Sequence, residues 1–128
     1  MLVEAQYTDH FKGDIVNAKT PHAIFYNDMS EAAATPHIEA LKTHAYRTFS
    51  TPTSISAHKY IPTAYLLCEN DMAIPLDAQK GIIEGARAEA PKAFDIVESC
   101  GASHSPFFSI PDTVATFLLR CAAENAAN

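Results

Sequence analysis

The sequence has 128 residues, a formal charge of −6 and 48% hydrophobic content, an ordinary composition for one globular chain. Its nine Lys and Arg residues are scattered singly, so no basic patch exists to release counterions, and nucleic acid is excluded as a partner. No apolar run approaches the ~20 residues that span a bilayer, which excludes a membrane-spanning helix.

Met1-Leu2-Val3-Glu4-Ala5 has no basic segment leading into an apolar one, so no signal peptide is read there. Between Met1 and about Asp28 the chain is polar and turn-rich. Two short strands are predicted, Gly13–Asn17 and Ala23–Tyr26, separated by Lys19-Thr20-Pro21. Ser30 can cap a short helix through Ala34, with Glu31 in its first turn. Thr35 can cap a second helix with Pro36 at its first position, where the missing N–H costs nothing. That helix would place Ile38, Leu41 and Ala45 on one face.

From Pro62 the pattern becomes strand, helix, strand, helix. Thr63–Cys68 is a continuous apolar run, as expected for a strand buried on both faces. Pro75 opens a helix to about Ala90 with Ile82, Ile83 and Ala86 turned inward, and Ala93–Glu98 alternates as a second strand. Pro111 opens a closing helix whose Val114, Phe117, Leu118 and Cys121 form one stripe. Alternating strands and helices predict an α/β fold with parallel pairing. Two parallel strands make a poor sheet alone, so this half of the chain reads as the edge of something larger.

The chemistry-bearing residues follow the two strands. In open parallel sheets functional groups collect just past the C-terminal strand ends. Cys68-Glu69-Asn70-Asp71 follows the first strand and Ser99-Cys100-Gly101-Ala102-Ser103-His104 the second. Adjacent strands lie about 4.8 Å apart, close enough for a carboxylate on one loop to accept the imidazole Nδ1–H of the other.

With these residues the sequence resembles a known group. Ile61 to Pro75 is similar to the penultimate core strand and acid loop of α/β-hydrolases. Gly101 to Pro111 resembles the histidine loop of their plant-esterase and hydroxynitrile-lyase-like branch, and Ala23-Ile24-Phe25-Tyr26-Asn27-Asp28 resembles fungal hydrolases of that branch. The resemblance implies Asp71 as triad acid and His104 as general base, in the family's order Ser, Asp, His. It implies a partial α/β-hydrolase fold, parallel strands with flanking helices plus a helical cap, with residues 1–61 as cap and 62–128 as the C-terminal part of the core. It covers nearly the whole chain but about half of a complete member. The sequence contains no Gly-x-Ser-x-Gly nucleophile elbow and no His-Gly oxyanion loop. Ser103 adjoins the base on its own loop, Ser54 and Ser56 lie after the cap helices, and Cys100 is four residues before His104, so none reads as the nucleophile.

Competing roles divide by position. Asp77 falls in a helix's first turn and Asp95 within a strand, so both read as structural. His37 and His44 are two helical turns apart, about 10.5 Å, too far to share an ion; His10, His22 and His58 have no ligand spacing, so no metal is expected. Phe25, Tyr26, Tyr46 and Phe49 either line a pocket or simply pack, while Phe107 and Phe108 read as packing residues, with a pocket-wall role as the alternative. Cys68, Cys100 and Cys121 suit free thiols in a reducing, cytoplasmic setting.

The functional expectation is a small-molecule ester or related hydrolase, esterase-like and of the secondary-metabolism kind, needing no cofactor. Without its nucleophile-bearing half the chain alone is expected to be inactive. The alternative is a catalytically inactive, truncated hydrolase-fold protein that binds a ligand or partner, including a second copy through an exposed sheet edge.

Overall fold

The computed structural model describes residues 15–126. Its elements run β1 (Ile15–Val16), α1 (Pro21–Phe25), α2 (Glu31–Ala40), β2 (His44–Ala45), β3 (Ala64–Cys68), α3 (Leu76–Glu89), β4 (Ile96–Cys100), α4 (Pro106–Ser109) and α5 (Pro111–Ala126). Two single 3-10 turns, Tyr46–Phe49 and Ala57–Lys59, join β2 to β3. β1 pairs antiparallel with β2, and β3 pairs parallel with β4 in the register Ala64↔Ile96 to Cys68↔Cys100.

The first predicted strand survives as Ile15–Val16, with Gly13 and Asp14 outside the described residues. The second is corrected: Pro21–Phe25 is a helix. Pro21 occupies its first position, and Thr20 and His22 carbonyls accept from the Ile24 and Tyr26 amides at 3.1 and 3.0 Å. What read as a turn between strands is thus a helix start. The two predicted cap helices are one, Glu31–Ala40. Ser30 caps it by accepting from the Ala33 N–H at 3.3 Å. Pro36 lies inside and forfeits one backbone bond, which the good helix formers around it tolerate. Because α2 stops at Ala40, Ala45 belongs to β2 and shares no face with Ile38.

The later elements keep their predicted order with shifted detail. β4 starts at Ile96 because Arg87 captures the Ala93 and Phe94 carbonyls (3.1 and 2.6 Å), while the Thr63 hydroxyl accepts from the Phe94 N–H at 3.1 Å. These bonds hold Phe94 at φ 53°, a conformation a bulky residue rarely adopts. On α3 the buried residues are Gln79, Ile83 and Ala86, whereas Ile82 is exposed. On α5 Phe117 and Cys121 face inward, but Leu118 and Leu119 are 59% and 73% exposed.

The expected double-sided burial of the first parallel strand is not realised. Only Cys68 of β3 is buried, because among the described residues no further strand pairs with β3 or β4. The core under the two loops is Cys68, Cys100 and Ala102, with Leu66 and Ile110 packed against it. Gln79 ends β3 as a neighbouring strand would: its Oε1 accepts from the Cys68 N–H at 2.9 Å and its Nε2 donates to the Cys68 carbonyl at 2.8 Å.

Candidate active site

β3 and β4 end in register at Cys68 and Cys100, so the loops that follow leave the sheet side by side. Backbone bonds extend the pairing past the strands: the Glu69 N–H donates to the Cys100 carbonyl (2.9 Å) and the Asn70 N–H to that of Ala102 (3.1 Å). The Asn70 side chain adds a bond to the Gly101 carbonyl at 2.8 Å. This stitching brings Asp71 and His104 together across 33 residues, with His104 Nδ1 2.9 Å from Asp71 Oδ2.

The acid is fixed from its other side. Asp71 Oδ1 accepts from the Ala73 and Ile74 N–H groups at 2.7 and 2.9 Å, so the carboxylate caps its own loop while its second oxygen faces the ring. Asp71 is buried, and a third of the His104 side chain is exposed. A carboxylate only accepts, so the neutral imidazole must donate from Nδ1. That leaves Nε2 as a lone-pair acceptor, and among the described residues it has no hydrogen-bond partner.

Two hollows meet at His104. One, of about 300 Å³, runs along the open side of β3 past Asp71, Ile74 and Gln79. The other, of about 460 Å³, is walled from the first half of the chain by Pro21, Phe25, Ile38 and Leu41, with Asn17, Lys42 and His44 as its polar lining. The Phe25 ring stands 5.3 Å from the imidazole. Phe25 therefore lines the hollow, while Tyr26 is buried and packs on His37 and Phe108. Tyr46 and Phe49 pack on each other, and Phe49 backs the hollow through an edge-on contact with His44 at 5.0 Å. Phe107 is 54% exposed and borders the β3 hollow, the pocket-wall alternative, while its ring meets that of Phe108 edge-on at 4.7 Å.

The remaining candidates take structural places. Asp77 sits in the first turn of α3, and Asp95 is exposed at the turn before β4. Ser103 is fully buried; its N–H and hydroxyl donate to Asp28 at 2.9 and 2.6 Å, which leaves no geometry for a nucleophile. Cys100 is buried at the end of β4 against Cys68. Burial and the neighbouring Cys100 push the Cys68 thiol up to about 12, the opposite of an activated nucleophile. His37 stacks on Phe108 at 3.7 Å, and His44 Nδ1 lies 3.2 Å from the Thr48 hydroxyl. Among the described residues no three His, Cys, Asp or Glu side chains converge on a metal-sized space, and no helix is long and apolar enough to cross a membrane.

Sequence reasoning missed Gln79, Asn70, Asn27 and Asp28. Gln79 left one signal, a polar residue on the inward stripe of an amphipathic helix.

No family description matches the chain. Over 110 residues it is 32% identical to an alpha/beta hydrolase of Aspergillus novofumigatus, spanning 86% of this chain and 42% of that protein. Over 107 residues it is 27% identical to a protein of a Phoma species named as a probable hydrolase, spanning 84% and 43%. A solved pyrethroid hydrolase superposes with a TM-score of 0.73 at 22% identity, over 98% of this chain and 50% of that one. The chain thus spans less than half the length of the curated relatives it matches.

Proposed function

The chain is α/β-hydrolase in fold and in sequence kinship, and on that premise we propose that it carries the acid–base pair of a serine hydrolase acting on small-molecule esters or related substrates. The observation that carries this reading is the Asp71–His104 contact: a buried carboxylate, pinned by two N–H groups, addresses Nδ1 at 2.9 Å. A serine in polypeptide outside these 128 residues attacks the substrate carbonyl, and its Oγ proton passes to His104 Nε2. The same proton then goes to the departing alkoxide. Asp71 holds the ring in the donating tautomer and offsets the imidazolium charge during the transfer.

The division of labour follows the chain. Of the residues lining the larger hollow, all but His104 come from the first 61, which supports their role as cap and substrate wall. The hollow beside β3 is the open approach to His104 on the core side, where the nucleophile-bearing part of the fold would seat.

A serine-directed fluorophosphonate probe tests the absent nucleophile. The isolated chain is expected to remain unlabelled, and covalent labelling would place the nucleophile within it. The second reading, an inactive chain that associates through its sheet, is favoured by β3–β4 edges that pair with no further strand among the described residues and by exposed Ile82, Phe107, Leu118 and Leu119. It predicts concentration-dependent self-association, so a chain that stays monomeric and silent to hydrophobic dyes counts against it.

A further inference from the structure

We infer that Asn27 and Asp28, in the turn between α1 and α2, are positioning residues that hold the acid and the base loops in register; this rests on the reading of Asp71 and His104 as the acid–base pair. Each of the two grips the residue immediately before one of the pair. Asn27 Nδ2 donates to the carbonyl of Asn70, the residue preceding Asp71, at 3.0 Å across 43 positions. Asp28 accepts from the N–H and the hydroxyl of Ser103, the residue preceding His104, at 2.9 and 2.6 Å across 75 positions.

The two grips close a circuit. Asn70 is itself bonded to the Gly101 and Ala102 carbonyls, so the α1–α2 turn, the acid loop and the histidine loop move as one unit. The Phe25 carbonyl also lies 3.0 Å from the Ser103 hydroxyl, and the Phe25 ring stands beside the imidazole. A displacement of this turn therefore shifts the ring against its carboxylate. Neither Asn27 nor Asp28 approaches the reacting atoms; both act through the backbone of Asn70 and Ser103.

The hydrogen-bond count separates shape from charge. The Ser103 hydroxyl has one proton and two acceptors in reach, Asp28 Oδ1 and the Phe25 carbonyl. In Asp28→Asn the amide oxygen still takes the Ser103 N–H, the amide nitrogen donates to Oγ, and the hydroxyl proton turns to Phe25. Asp28→Ala leaves the buried Ser103 N–H without its partner.

The test is the low-field Nδ1 proton of His104, followed by NMR in the full 128-residue chain. Its exchange with water is expected to speed up about ten- to a hundredfold in Asp28→Ala and to stay within about twofold in Asp28→Asn. Equal exchange in wild type and Asp28→Ala, or equal acceleration in both variants, overturns the inference. If Asp28→Ala loses its native circular dichroism, Ser103→Ala decides: a several-fold faster exchange supports positioning, and an unchanged rate overturns it. A wild-type chain without the low-field proton, or one that keeps it in Asp71→Asn, refutes the acid–base reading itself.

Discussion

Replacing Gln79 with leucine isolates the device that ends β3 and anchors the acid loop. The side chain is 1% exposed and makes three bonds to main chain: with the Cys68 N–H (2.9 Å), the Cys68 carbonyl (2.8 Å) and the Ile74 carbonyl (2.7 Å). Leucine is close in volume, so packing changes little, and the loss is that of three bonds to backbone groups. A buried group left unsatisfied costs about 1–3 kcal/mol. The two Cys68 groups bear that cost, while the half-buried Ile74 carbonyl borders the 300 Å³ hollow and can recruit water. The sum over the two is about 2–6 kcal/mol, a large share of the ~5–15 kcal/mol that holds a typical domain together. Urea unfolding followed by far-UV circular dichroism measures it, with the slope checked for constancy. A loss below about 1 kcal/mol at unchanged slope would refute the argument that Gln79 substitutes for a strand.

Other consequences are open to simple assays. With its thiol pushed up to about 12, Cys68 is ionised to only roughly one part in ten thousand at pH 8. Iodoacetamide should therefore spare it in the native chain and modify it once unfolded; rapid native alkylation would mean the thiol is neither buried nor protonated. Burial raises the Asp28 carboxyl, but the Ser103 hydroxyl, the nearby Ser109 hydroxyl and the Ser103 N–H together outweigh that and leave it below the usual value. A depressed carboxyl contributes stability that is present above its unfolded pKa and disappears as pH falls through the folded one. Acid titrations should thus destabilise wild type more steeply than Asp28→Asn below about pH 4, and parallel curves would contradict it. Gly101→Ala should shift stability by less than about 1 kcal/mol, since an added Cβ meets only Asn70 Nδ2 at 4.0 Å. A larger loss would show that the glycine is needed for its backbone.

The second half of the chain was legible because period and chemistry agreed there. Apolar Thr63–Cys68, Pro75 and Pro111 fixed a strand and two helix starts, and the groups past both strand ends proved to be neighbours. The first half misled where one signal had two meanings. Lys19-Thr20-Pro21 suits a turn as well as a helix start, and only the burial of Ile24 and Tyr26 against the rest of the molecule decides between them. Pro36 suggested a new helix because its local cost is visible in sequence, whereas the surrounding helix that absorbs it is not. Asn27 and Asp28 were unreadable for a different reason. Their partners lie 43 and 75 residues away, and no spacing rule reaches that far.

The central claim is that Asp71 keeps His104 in the tautomer that leaves Nε2 free to take a proton. Long-range ¹H–¹⁵N correlation of the imidazole nitrogens, recorded above the histidine titration range, reads this directly. The account predicts a protonated Nδ1 and a bare Nε2 in the wild-type chain, with the proton moving to Nε2 in Asp71→Asn. A wild-type ring protonated on Nε2, or averaged between both nitrogens, would contradict it.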